Sequence, residues 1–135
     1  MKKKKTPRQK LIKKLDTLCR EYVVSRDEHI CQWCGKLVGG KNCQWSHIIT
    51  RSEHMLRWNP VNSVVLCYAC HRKWHSNPLI ATEWFKNKFP ERYEEIIDLN
   101  NKSRPIMVSE LEEMVKKFDT PQNDTPQSWG IGGLA

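Results

Sequence analysis

The first clear hydrophobic pattern lies close to the start of the chain. Leu11, Leu15, Leu18 and Tyr22, with Cys19, recur at steps of three and four, while Lys10, Lys13, Lys14 and Arg20 fall elsewhere. That periodicity predicts an amphipathic helix over 8–25, opened by Pro7, with its apolar stripe on the core. The pattern then shortens. Trp45 to Thr50 and Val64–Val65–Leu66 are brief apolar runs of strand length, separated by a loop over 51–61 that contains Trp58–Asn59–Pro60. After the second run, Cys67–Tyr68–Ala69–Cys70 turns into a helix carrying His71 to His75, which Pro78 ends. Residues 80–89 and 91–99 read as two helices broken at Pro90. Ser109 with Glu112 reads as a capping box that starts a last helix, with Leu111, Met114, Val115 and Phe118 on one face. The expectation is a small α+β domain over 8–118. A helix (8–25) precedes a strand–strand–helix core (29–78), and helices (80–118) follow it. Residues 1–7 form a basic disordered arm and 119–135 a flexible tail.

Charge sharpens this picture. The net charge is +8 over 135 residues. Residues 1–20 carry nine Lys/Arg and one Asp, and residues 21–90 carry nine against five, whereas residues 91–135 carry five against nine. A positive arm and centre with an acidic end point to an anionic polymer as partner, nucleic acid before a membrane surface. The arm lysines Lys2, Lys3, Lys4 and Lys5 are the first candidates for phosphate contacts. No apolar run reaches the ~20 residues of a membrane span. No apolar segment follows the lysines as it would in a secretory signal, so the expected location is cytoplasmic, with reduced thiols.

In that setting two Cys-x-x-Cys pairs, Cys31/Cys34 and Cys67/Cys70, match a tetrahedral four-thiolate zinc site of structural type. Gly35 suits the tight turn after the first pair. His71 and His75 stand four apart, so both imidazoles can reach one further metal ion from one helix face. Cys70 and His71 are neighbours and diverge by about 100° on a helix, which suits two different ions. Cys19 reads as a core residue. His54 reads as a surface position, His29, next to the first cysteine pair, as either exposed or packed just behind the metal ligands, and Trp58 and Trp74 as packing residues. His47 alone, on its strand, reads as a core histidine.

Together, Ser46–His47–Ile48–Ile49, Asn62 and Leu66–Cys67-x-x-Cys70–His71-x-x-x-His75 resemble the HNH (His-Asn-His, ββα-metal) endonuclease family over residues 31–78. Ser46–His47, Leu56–Arg57–Trp58–Asn59–Pro60 and the helical C-terminal extension are similar to the phage HNH proteins of the Rap/NinG recombination-nuclease type. The resemblance implies a zinc-stapled ββα-metal core and a hydrolase that cuts DNA phosphodiester bonds, in a bacterial host cell if phage-encoded. It implies His47 as the base that activates water, Asn62 as the brace of the loop that orients it, and His71 with His75 as the site of a catalytic divalent metal (Mg²⁺, Mn²⁺, Ni²⁺ or Zn²⁺). Beside His47, Arg51 and Arg57 become candidate phosphate contacts. Ser46 departs from the pattern, because the family often has a metal-binding Asp, Glu or His there and a serine hydroxyl is a poor ligand. A symmetric homodimer would allow double-strand cuts, but nothing in the sequence shows one. Two rivals remain at this point: a non-catalytic zinc module that binds DNA, and an interaction protein whose acidic helices bind a partner.

Overall fold

The computed structural model describes residues 3–50 and 54–119. Residues 120–135 of the expected tail, Lys2 and Arg51 therefore lie outside the described residues, while Asp119 closes the last helix. The elements run α1 (Pro7–Arg26), β1 (Gln44–His47), α2 (His54–Arg57), β2 (Ser63–Leu66), α3 (Tyr68–Ser76), α4 (Pro78–Lys88), α5 (Pro90–Asn101) and α6 (Val108–Asp119), with short 3₁₀ turns at Gly40–Asn42 and Pro60–Asn62. The protein is thus α+β, with a two-stranded antiparallel sheet among helices. Among the described residues no helix is long and apolar enough to cross a membrane.

α1 starts where side chains satisfy its orphan amides. Thr6 Oγ1 accepts from Gln9 N at 3.1 Å, and Gln9 Oε1 accepts from Thr6 N at 2.9 Å, a reciprocal capping box with Pro7 at the first helical position. Its apolar stripe buries Leu15, Cys19 and Val23 completely. α6 lies along α1, and the rings of Tyr22 and Phe118 meet edge to face at 5.9 Å. α6 begins one residue before the predicted capping serine. Its amide cap is Glu110, whose carboxylate accepts from Met107 N at 3.1 Å and from Arg104 at 2.9 and 2.6 Å. The Arg104 guanidinium makes Glu110 the better cap, so the Ser109/Glu112 pairing is not the one that starts the helix.

β2 is buried along its whole length. On one edge it pairs with β1 in the register Gln44↔Leu66, Trp45↔Val65, Ser46↔Val64 and His47↔Ser63. Its other edge is closed by side chain and loop. Val65 N donates to Asp27 Oδ2 at 2.9 Å, and Val65 O accepts from Gln32 N at 2.9 Å. Asp27 is buried, and Arg26 offsets its charge at 2.8 Å while also donating to the carbonyls of Pro60 and Ser63. Removing one member of such a group leaves the other charge uncompensated, the costly case for buried ions. The C-terminal end of α1 thereby fixes where the sheet sits.

β1 ends at His47, three residues short of the predicted strand. The reason is Asn62. Its backbone carbonyl takes Ile48 N at 2.8 Å and its side-chain oxygen takes Ile49 N at 2.9 Å, so the chain leaves the ladder there. The loop that follows contains the short helix α2, which the sequence pattern did not predict.

Candidate metal centre and cleft

The two Cys-x-x-Cys pairs come together although about thirty residues separate them. The sulfurs of Cys31, Cys34, Cys67 and Cys70 all lie within 4.8 Å of one another. Each pair forms a knuckle in which a backbone amide points at sulfur: Cys34 N to Cys31 Sγ at 3.5 Å and Cys70 N to Cys67 Sγ at 3.4 Å. Gly35 takes φ +78°, the left-handed conformation that such a turn needs and that a side chain would strain. The 3.8 Å between Cys34 Sγ and Cys67 Sγ equals the edge of a tetrahedron with Zn–S bonds of about 2.3 Å. The donor set and its spacing fit a structural zinc. Burial raises the Cys31 thiol, but the amides of Cys34, Cys67 and Trp33 outweigh it and bring the pKa down to about 7. Burial, with hydrogen bonds from the neighbouring thiols, instead pushes Cys70 far up. Four thiolates crowd one another here, and a cation is what lets all of them ionise.

Indoles tie this knot to the helices. Trp33, inside the first knuckle, stacks on Trp84 of α4 with ring centres 4.9 Å apart, and Trp74 of α3 stands edge-on to both at 6.1 Å. Trp74 is thus a packing residue. Its indole N–H also donates to the carbonyl of His47 at 3.2 Å. Cys67 caps α3, so the second cysteine knuckle and the start of the histidine helix are one piece of backbone.

A cleft of about 620 Å³ opens between β1 and α3, lined by His47, His71 and His75 among others. His71 and His75 project from one face of α3, and their Nε2 atoms stand 3.1 Å apart. That separation is inside the roughly 4 Å span that two ligands with bonds of about 2.0–2.1 Å can bridge. Burial, then repulsion from His75, lowers the pKa of His71, which favours the neutral, ligating form. His71 Nδ1 lies 2.7 Å from Ser46 Oγ, and Ser46 is completely buried. With Nδ1–H donated to the hydroxyl, the lone pair of His71 sits on Nε2, toward His75. Ser46 thus braces a histidine, a role its sequence position did not announce. Among the described residues, the four cysteines are the one group of three or more potential ligands, so no carboxylate joins the histidine pair.

His47 Nε2 lies 3.0 Å from the carbonyl oxygen of Arg57. A carbonyl only accepts, so Nε2 carries the proton and Nδ1 is the basic nitrogen of the neutral ring. Trp45 packs edge-on to the imidazole at 4.2 Å. Asn62 is fully buried behind this loop. Its amide donates to the carbonyls of Ile49 at 3.0 Å and Leu56 at 3.1 Å, while its oxygen accepts from Ile49 N. These three bonds tie the end of β1 to α2, whose last residue supplies the carbonyl that holds His47.

Of the candidate phosphate contacts, Lys3, Lys4 and Lys5 are exposed. Arg57 departs from the expectation. Its guanidinium is committed to Asp16 of α1 by bonds of 2.9 and 2.6 Å, and the Trp58 indole N–H donates to the same carboxylate at 2.8 Å. Trp58 itself is fully buried, as a packing residue should be. Sequence reasoning passed over Asp16, although it is the lone acid among residues 1–20. Asp16 anchors the segment whose carbonyl holds His47. No family model, curated protein or solved structure matches this chain.

Proposed function

We propose that the protein is a metal-dependent endonuclease of the HNH kind that hydrolyses DNA phosphodiester bonds, with β1, β2 and α3 as its ββα unit. One observation carries this reading. A histidine with its Nε2–H fixed on a backbone carbonyl shares a cleft with two histidines whose Nε2 atoms converge. In this account Nδ1 of His47 takes a proton from water as the water oxygen bonds to phosphorus. The bond from phosphorus to the leaving oxygen then breaks, and that oxygen is protonated from solvent. The Arg57 carbonyl keeps the ring in the reactive tautomer and stabilises the imidazolium that forms. His71 and His75 would hold the divalent ion through their converging Nε2 atoms. When bound, the ion supplies positive charge against the negative charge that builds on the phosphate oxygens. Asn62 keeps the loop, and so His47, in register with the cleft. A zinc ion on the four cysteines would fix the start of α3, and thereby the histidine pair, because Cys67 caps that helix.

The test is nicking of supercoiled plasmid and of a branched oligonucleotide by zinc-loaded protein with added Mg²⁺, Mn²⁺, Ni²⁺ or Zn²⁺. Metal-dependent cutting that His71→Ala and His75→Ala abolish, with folding and cysteine-bound zinc intact, is the expected result. No cutting under any metal, with salt-sensitive DNA binding retained, would favour a non-catalytic zinc module instead.

A further inference from the structure

A second concavity, about 510 Å³, runs along α1 and shares no lining residue with the histidine cleft. Its walls carry Lys5, Lys10, Lys13 and Lys14, opposed by one carboxylate, Glu21. The capping box explains how an arm residue comes to be there: Thr6, itself extended, is held on Gln9, and Lys5 next to it comes to lie beside Lys13.

We propose that this lysine groove is a docking site for the phosphate backbone of DNA, separate from the cleft. Three observations carry it. First, among the described residues none of the four ammonium groups has a carboxylate partner, whereas cations of the C-terminal part do, as in Lys102–Asp98, Arg104–Glu110 and Lys116–Glu113. Second, the crowding has a cost. Lys10 with Lys13 and with Lys14 are like-charge pairs at the helix spacings that destabilise, and the Lys13 ammonium, by hydrogen bond and then by charge, lowers the pKa of Lys5. An anion lying between them relieves both. Third, the apolar stripe of α1 is already spent on the core through Leu15, Cys19 and Val23. Leu11, Ile12 and Leu18 also pack partly buried against it, so only the flank of Leu18 reaches the groove among the lysines. That is too little apolar surface to sink a helix into a bilayer, and a polyanion suits the groove better than a lipid surface.

The groove shares only its partner with the nuclease reading, and binding alone tests it. The experiment compares wild-type protein with a Lys5→Ala/Lys10→Ala/Lys13→Ala/Lys14→Ala variant, and with a control of equal charge change, Lys86→Ala/Lys102→Ala/Lys116→Ala/Lys117→Ala. Alanine is a strong helix former, so the exposed α1 substitutions should not unfold the chain. Fluorescence anisotropy with a labelled duplex, without added divalent metal, gives affinity as a function of salt. If each lysine meets one phosphate, the groove variant should lose roughly 3 to 4 units of log–log salt slope. Its affinity should fall at least about tenfold further than the control's. Equal losses in both variants, or an unchanged slope in the groove variant, would overturn the proposal. So would loss of binding to phosphatidylserine vesicles with DNA binding intact. Should plasmid nicking fail while the groove slope changes, the nuclease reading falls and the groove stands. Nicking with no slope change has the opposite meaning.

Discussion

Asn62→Ala is the perturbation whose size the structure states most directly. The side chain is fully buried and makes three hydrogen bonds, at 2.9, 3.0 and 3.1 Å, all to backbone groups of Ile49 and Leu56. At a net contribution of about 1 kcal/mol each, their loss costs about 3 kcal/mol, and more where the orphaned groups stay out of water. For a domain near 100 residues that is a fall in Tm of roughly 10–20 °C. Asn62→Asp separates the bonds from the volume. It keeps the acceptor for Ile49 N but turns an acceptor toward the carbonyls of Ile49 and Leu56, so at neutral pH it should cost at least as much as alanine. Urea unfolding of zinc-loaded protein at fixed zinc concentration measures both. A loss below about 1 kcal/mol for Asn62→Ala, well under the net value of three bonds, would refute the brace. So would an Asn62→Asp protein as stable as wild type at pH 7.

Three other outcomes follow from the same geometry. Ser46→Ala removes the partner of His71 Nδ1, and calorimetry should show divalent-ion affinity at the histidine pair falling roughly 10- to 100-fold, with cysteine-bound zinc unchanged. Native mass spectrometry should find one zinc per chain on the four cysteines, and stripping it with a chelator should lower Tm further than Asn62→Ala does, because metal binding at such a site is folding free energy; equal melting with and without zinc would contradict this. The hydrogen bonds from Arg104 and then from Met107 N hold Glu110 at a pKa of about 2, against an ordinary 4.5. A depressed carboxylate stabilises the fold above its unfolded pKa. That contribution should be lost as pH falls from 4.5 toward 2, and an NMR titration of Arg104→Ala should show Glu110 moving back up.

Features with a local period are legible in the sequence itself. Of the predicted α1 stripe, Leu15 and Cys19 are fully buried and Leu11, Leu18 and Tyr22 pack partly buried against the core, while Val23, which the pattern did not single out, is fully buried as well. The two thiolate pairs meet, because their spacing already encodes a tetrahedral ligand set. What escaped the sequence depends on partners far apart in the chain. The strand stops at His47 because Asn62, thirteen positions beyond Ile49, takes over that residue's amide. Arg57 meets Asp16 across 41 positions, and no periodicity reports such a pair. Ser46 looked like a missing ligand, and only the fold places its hydroxyl against His71. Glu110 displaced the expected cap because Arg104, six residues upstream, reinforces it.

The central claim is that His47 takes the proton from the attacking water. Single-turnover cleavage of a labelled duplex by His47→Ala, at saturating protein and in the metal that best supports the wild type, tests it most directly. A rate lower by roughly 10²- to 10⁴-fold, the range for removing a general base, is expected, with duplex affinity and cysteine-bound zinc unchanged and a melting temperature lower only by the roughly 4–8 °C that the one lost hydrogen bond to the Arg57 carbonyl is worth. Cleavage by His47→Ala at the wild-type rate would contradict it.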